Sequence, residues 1–484
     1  MITFLPTDTD IEKYPTPDVR VRAAVAARFS TMVEKYDLVI VGGGISGAAL
    51  LYTVSKFTDI ERVALLEKEA EIASINSHHT NNSQTLHFGD IETNYTREKA
   101  EEVNEGAQLL AGYLEREDPD REFHSKRSKM VLAVGKEEAD ELRRRYTEEG
   151  FADLYPKLRP IDREEIAEIE PNVVDGRDPD TELYALQTPD GYVVDYGETA
   201  KSFVEAARKE AGVDVYTDSE VKRLDETDDG FIVESEAGWF EADATVVAAG
   251  SHSLQVAKEM GYGEDMSLLP VAGSFFLADD LLNGKVYTLQ MQKLPFAAIH
   301  GDADVHDDSI TRFGPTAKLV PELERGRIST VEDFLDVFGL NADSFLSYGN
   351  VLADRVLLPY VLKNLVYDVP EVGKRSFLPH VQKVVPSVGL DDIERAKGYG
   401  GVRPQIVDTD GKTLDMGEAK ITGEDIIFNI TPSPGASTCL KNAMRDTEQV
   451  LEFLNGAFEF DEEAFREATI GNFPREERPI AADD

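Results

Sequence analysis

The stretch YDLVIVGGGISGAALLYTV, beginning at Tyr36, limits the possible folds more than any other part of the chain. Tyr36 to Val41 form a short apolar run suited to a strand buried on both faces of a parallel sheet. Gly42, Gly44 and Gly47 follow at G-x-G-x-x-G spacing, and Ile45 to Val54 continue with helical periodicity. After a turn near Thr58 and Asp59, RVALLEK supplies a second strand ending at Glu67, 20 residues beyond Gly47. Strand, glycines, helix, strand and acid in this order predict a dinucleotide-binding unit. The glycines let the backbone approach a pyrophosphate, the helix start offers unpaired N–H groups and a partial positive charge, and Glu67 holds ribose hydroxyls.

Two later segments bear on which dinucleotide is bound. From Val213 the chain alternates short strands with turns at Asp229, Gly230 and Gly238, then ends in an apolar strand running into Ala249 and Gly250. This pattern predicts an antiparallel meander returning to the parallel sheet. It resembles the second segment of flavin-binding Rossmann proteins, and a nicotinamide dehydrogenase has no need of it. Near the C-terminus, FNITPSPGASTCLKNAMRDTEQVLEFL reads as a strand, a Pro and Gly turn, and a helix with Leu440, Ala443, Met444, Leu451 and Leu454 on one face. Ser437 and Thr438 are suitable caps for that helix, whose start could receive the pyrimidine carbonyl of a flavin. RSKMVLAVG, LLPVAGSFFLAD, KVYTLQM and ITRFGP are strand-like and predict a sheet roofing the cofactor.

The chain has 484 residues, 41% of them hydrophobic, enough for two lobes enclosing a cofactor. No apolar run approaches the roughly 18 residues of a spanning helix, and the N-terminus lacks a secretory pattern. One cysteine, Cys439, fits a reducing cytoplasm, and its place on the helix suggests a buried thiol. With 50 Lys and Arg against 93 Asp and Glu, the net charge of −43 argues against a nucleic-acid partner. The acids are spread along the chain, as expected for a surface adapted to high salt.

Four further stretches, in order, are NNSQTLHFGDIETNYT, PFAAIHGDAD followed by RFGP, GYGGVRPQIV, and SPGAST. In this combination the chain resembles the malate:quinone oxidoreductases, flavoproteins that oxidise (S)-malate to oxaloacetate and pass electrons to membrane quinone. It departs from that pattern at Thr316, Ala317 and the acidic LVPELERGR that follows, and at Val402 before Arg403. The resemblance implies an α/β fold. A Rossmann-like FAD-binding domain of the glutathione-reductase or amino-acid-oxidase type joins a second, mixed-sheet substrate domain. The expected cofactor domain comprises residues 34–110, 190–260 and 395–456, and the substrate domain 111–189 and 261–394. Residues 1–33 form an extension and 457–484 an acidic tail. The expected location is cytoplasmic, with possible peripheral contact at the inner face of the membrane, for which VRVRAAVAARF is a weak amphipathic candidate.

Oxidising a 2-hydroxy acid requires a hydride acceptor, a base for the hydroxyl proton and cations for the carboxylates. His300 and His87 are both candidates for the base. Arg403 is the expected carboxylate clamp, with Lys383 and Arg312 as weaker candidates for a second one. Asn82 and Ser83, with His87, are expected to hydrogen-bond flavin or substrate. The other cofactor contacts are Gly42, Gly44, Gly47, Glu67, Ala249, Gly250, Gly435, Ala436, Ser437 and Thr438. His78 and His79 lack paired metal-ligand spacing, so no metal site is expected. The competing functions are a flavin enzyme for another acid such as L-2-hydroxyglutarate or an amino acid, a nicotinamide dehydrogenase, and a non-catalytic FAD-binding protein.

Overall fold

A computed structural model describes residues 33–290, 298–339, 348–349, 357–411, 413–415, 419–431 and 434–472. The VRVRAAVAARF stretch, Pro295 to Ala297 of the PFAAIHGDAD stretch and the end of the acidic tail lie outside these residues.

The apolar run becomes β1 (Glu34–Val41), followed by α1 (Ile45–Phe57) and β2 (Val63–Leu66). β1 is central and parallel to both neighbours, with Ile40 opposite Leu65 of β2 on one side and Val246 of the strand Gly238–Val247 on the other. The sheet extends through Val213–Tyr216 beyond β2 and through Ile426–Ile430 and Ala419–Thr422 beyond Gly238–Val247. Its two faces are both covered, which explains an uninterrupted apolar strand in place of an alternating one. Leu38 and Ile40 point into a layer containing α1 and the helices Tyr196–Ala207 and Cys439–Phe453, while Tyr36, Val39 and Val41 pack against the opposite side. Each of these fully buried Leu, Ile and Val side chains contributes about 1.5–3 kcal/mol. The meander has its strands at Val221–Thr227, Gly230–Ser235 and Gly238–Val247, with Gly230 and Gly238 at positive φ in the expected turns.

The second lobe contains two sheets where the sequence suggested one. LLPVAGSFFLAD divides at Gly273 into Met266–Ala272 and Phe276–Asp279, which belong to different sheets. Gly400 approaches the bend so closely that a Cβ there would lie 1.9 Å from the Gly273 carbonyl oxygen. The larger, eight-stranded sheet includes His124–Val134, Lys285–Thr288, His300–Ala303 and Ile310–Gly314. The smaller one pairs Met266–Ala272 with Val402–Asp408. Residues 402–408 fall within the segment expected to belong to the cofactor domain, yet the chain joins the cofactor sheet only at Ala419. The acidic tail also begins later than expected. Glu462–Ala468 is helical, and Phe465 is fully buried with its ring 5.4 Å from Phe57, so the aromatic residues in this acidic run anchor it.

Candidate active site

A cavity of 780 Å³ runs from the βαβ turn to the start of the helix Cys439–Phe453, within the size range of cofactor sites. Gly42, Gly44, Glu67, Ala249 and Gly250 line it, as do Ser83, His87, Arg403, Gly435, Ala436 and Ser437. Gly42 has φ +107, and a Cβ on Gly47 would lie 2.0 Å from the Gly42 carbonyl oxygen, so the turn closes only with glycine at both positions. No acid occupies the first turn of α1, and its Gly44 start has no capping side chain of its own, although Ser77 Oγ accepts from the Ile45 amide at 3.0 Å. Its amides and positive dipole end suit a pyrophosphate. Glu67 Oε2 accepts from the Gly43 amide at 2.7 Å and Oε1 from the Glu69 amide at 2.8 Å, which fixes the carboxylate at the cavity wall. Burial pushes the Glu67 carboxyl up, while those amides and Lys68 favour its anion. Among the described residues, the buried Ser74 and Ser251 hydroxyls lack hydrogen-bond partners, and both residues line this cavity. Closely packed glycines, a helix start free of acids, a fixed acid on the cavity wall and two orphaned hydroxyls fit a flavin dinucleotide.

The structure separates the two candidate histidines. His87 lines the cavity. Its Nδ1 lies 2.5 Å from Glu92 Oε1, and its Nε2 lies 3.5 Å from Ser83 Oγ. Burial alone would push Glu92 up, but the imidazole, its hydrogen bond and Lys129 outweigh it and hold the carboxyl at about 2. A carboxylate on Nδ1 orients the ring and leaves Nε2 for proton transfer. His300 opens the strand His300–Ala303 and is not among the residues lining the cavity. It is fully buried, stacked on Tyr287 with ring centroids 4.2 Å apart, and its Nδ1 lies 3.1 Å from the Ala298 carbonyl oxygen. Burial lowers its pKa to about 3, so it is neutral, and its Nε2 has no hydrogen-bond partner among the described residues.

The two weaker candidates for a second carboxylate clamp have other roles. Lys383 pairs with Glu138 at 2.6 Å on a helix of the second lobe and does not line the cavity. Arg312 is fully buried, 2.6 Å from Asp302 Oδ2, and donates to the Ser83 carbonyl at 3.1 Å. Lys285 contacts the same carboxylate oxygen at 2.8 Å and donates to Thr85 Oγ1 at 2.9 Å. Burial lowers the Lys285 amine to about 8 against the pull of Asp302. Arg312 and Lys285 thus fix the backbone from which Ser83 and His87 project, and act as positioning residues. The side chain of Asn82 is likewise engaged within its loop. Its amide donates to the Asn76, Ser77 and His78 carbonyls, and its oxygen accepts from the Gln84 amide.

Ser437 and Thr438 do not act as the expected caps. Thr438 is the N-cap without a side-chain capping bond, while Ser437 Oγ accepts from the His87 amide at 3.0 Å and lies 3.1 Å from Tyr196 Oη. This leaves the helix start without side-chain capping beside Gly435 and Ala436. Cys439 is buried in the helical layer and does not line the cavity. Arg403 projects from Val402–Asp408 and lines the same cavity as His87. Glu92, Lys285 and Asp302 did not stand out in the sequence, since acids and lysines are abundant and only cross-strand register brings Lys285, Asp302 and Arg312 together.

The FAD dependent oxidoreductase family profile matches residues 37–435. A malate:quinone oxidoreductase from Helicobacter pylori is 40% identical over 440 residues, covering 89% of this chain and 97% of the relative. The human mitochondrial L-2-hydroxyglutarate dehydrogenase is 28% identical, covering 85% and 88% respectively. Among solved structures, the Mycoplasma pneumoniae L-alpha-glycerophosphate oxidase with FAD bound aligns with a TM-score of 0.60 at 17% identity. That alignment covers 88% of this chain and 97% of the oxidase, a likeness of fold alone.

Proposed function

Because this chain belongs to the FAD dependent oxidoreductase family and, within it, to the malate:quinone oxidoreductases, we propose an assignment of its residues to the oxidation of (S)-malate. The enzyme is an FAD-dependent malate dehydrogenase that forms oxaloacetate and delivers the electrons to quinone. When bound, FAD would supply the two-electron acceptor for hydride from the carbinol carbon. Gly42, Gly44 and Gly47 would admit the pyrophosphate, Glu67 would hold the ribose, and Ala249, Gly250, Gly435 and Ala436, with the helix start at Thr438 behind them, would line the cofactor's course. His87 Nε2 takes the hydroxyl proton while Glu92 stabilises the resulting imidazolium, and Ser83 directs the hydroxyl toward it. Arg403 holds a malate carboxylate through its planar guanidinium.

The observation that carries this assignment is the His87–Glu92 pair at 2.5 Å, in the same cavity as Arg403. An anaerobic titration of the purified flavoprotein tests the substrate. Bleaching of the flavin band by (S)-malate, with L-2-hydroxyglutarate ineffective, is the expected result. Bleaching by L-2-hydroxyglutarate alone would overturn it.

Delivery to a lipid-soluble quinone supports a peripheral position on the inner face of the membrane. Among the described residues no helix is long and apolar enough to cross a membrane. The helix Leu357–Tyr367 exposes Leu358, Leu362 and Leu365 on one face, and Val369 and Val372 continue the apolar strip. Residues 357–383 carry four Lys and Arg against two Asp and Glu, a local excess of base in a chain of charge −43. An apolar strip edged by bases suits insertion at a headgroup boundary. The triple variant L358D/L362D/L365D should keep malate oxidation with a soluble dye yet lose flotation with lipid vesicles and reduction of vesicle-embedded quinone. Unchanged flotation would remove this surface from consideration.

A further inference from the structure

Outside the cofactor cavity, three chain segments converge on a second cavity of 320 Å³. His79 comes from the short turn His79–Asn81, Asp195 is the N-cap of the helix Tyr196–Ala207, and His306 follows the strand His300–Ala303. Asp195 Oδ2 lies 2.7 Å from His306 Nε2 and 3.4 Å from His79 Nδ1, and one ligand atom from each residue lies within 4.8 Å of the others. Nitrogen and oxygen ligands about 2.0–2.1 Å from a tetrahedral ion lie about 3.3 Å apart, so His306 must move outward from Asp195 and the two imidazole nitrogens, which lie within 4.8 Å of each other, must settle to that spacing. The His306 imidazole, with 39% of its side chain exposed, has room to move.

The carboxylate is fixed in advance. The Asp195 side chain is 3% exposed, and its other oxygen accepts from the Gly197 amide at 2.8 Å and the Glu198 amide at 3.0 Å, which leaves Oδ2 directed at the imidazoles. Behind His306, its own amide donates to Asp304 Oδ1 at 3.0 Å, and Asp304 Oδ2 accepts from Gln84 at 3.0 Å. Such outer contacts orient metal ligands. Glu122 and Glu198 line the same cavity, so a fourth position can be filled by a carboxylate or water.

We propose that His79, Asp195 and His306 bind one divalent cation of the zinc type. Two imidazoles with one carboxylate favour zinc, cobalt or nickel over the oxygen-seeking magnesium and calcium. The ion would tie the loop carrying Ser77, Asn82 and Ser83, part of the cofactor-cavity wall, to a helix of the cofactor lobe and a hairpin of the other lobe. Its role is therefore structural, and it does not depend on the identity of the acid oxidised.

The full-length flavoprotein, freed of metal by a chelator, would be titrated with Zn2+ by calorimetry in excess Mg2+, which occupies loose sites among the surface acids. Co2+ would then be added and its visible d–d bands recorded beyond the flavin absorption. One Zn2+ per chain and a tetrahedral Co2+ spectrum are expected. Loss of an outer contact alone weakens metal sites about 10–100-fold, so H306A and H79A should each weaken binding by at least about 100-fold. H306A changes a partly exposed side chain, and its flavin spectrum reports folding. H380A, remote from the site, should bind as the parent does. Absence of stoichiometric binding in Mg2+, or an H306A affinity within about threefold of the parent, would overturn the proposal.

Discussion

At the residue scale, the two histidines of the family-like stretches have separate tasks. His87 sits on the cavity wall with a carboxylate on Nδ1, whereas His300 is buried and stacked on Tyr287. General bases contribute about 10²–10⁴-fold, so H87Q should lower kcat by that range. E92Q should lose about 10²-fold within it. Both should retain the flavin spectrum, as stopped-flow flavin reduction would show. His300 instead governs acid stability. Its folded pKa of about 3 lies below the unfolded 6.5, so protons bind preferentially to the unfolded chain. The stabilisation is full above pH 6.5 and is lost as pH falls from there toward 3, at about 1.4 kcal/mol per unit for one group. Denaturant melts of the parent and H300F between pH 7 and about 4.5 should therefore differ in slope, with the variant the flatter. Sequence alone could not separate these roles. His87 and its partner are five residues apart in one polar run, but an acid among 93 carries no signal. The burial of His300 depends on a strand pairing with Lys285–Thr288 that only the fold reveals.

At the element scale, the βαβ unit was legible because local chemistry and global packing demand the same residues. The apolar strand must be buried on both faces, and the glycines must allow backbone contacts that a Cβ would close. G47A tests this directly. Its methyl would lie 2.0 Å from a backbone carbonyl that cannot rotate away, so α1 must shift from the sheet. Overpacking of this kind costs about 1–3 kcal/mol. The variant should melt earlier and be purified with less flavin, as absorbance per chain would report, whereas G349A, with open space around its Cβ and no positive φ, serves as the neighbour-free comparison. Other elements were not legible. LLPVAGSFFLAD has the composition of one long strand, and its division between two sheets is set by the bend at Gly273 against Gly400, a contact between residues far apart in sequence. The helix Glu462–Ala468 was hidden because acids dominate its composition, while one buried phenylalanine fixes its place.

Across the whole molecule, the net charge sets how stability responds to salt. With 93 acids and 50 bases, at least 43 carboxylates have no cation to face, and their mutual repulsion opposes the compact state. Ion pairs such as Lys136–Asp140 and Arg466–Glu462 act in the opposite sense, because salt weakens them. Each exposed pair is worth only about 0.2–1 kcal/mol, whereas the unbalanced charges act across the entire surface. Screening should therefore raise stability. The Debye length falls from about 10 Å at 0.1 M to about 3 Å at 1 M, so the gain should be steep at first and then level off. Thermal melts of the holoenzyme in KCl should rise by several degrees over this interval. Sodium chloride and potassium chloride should match if screening alone acts, while sulfate at equal ionic strength should continue to raise the melting point by strengthening apolar burial. A melting temperature that stays flat or falls from 0.1 to 1 M would show that local pairs outweigh net repulsion, and the proposed adaptation of this surface to high salt would fail with it.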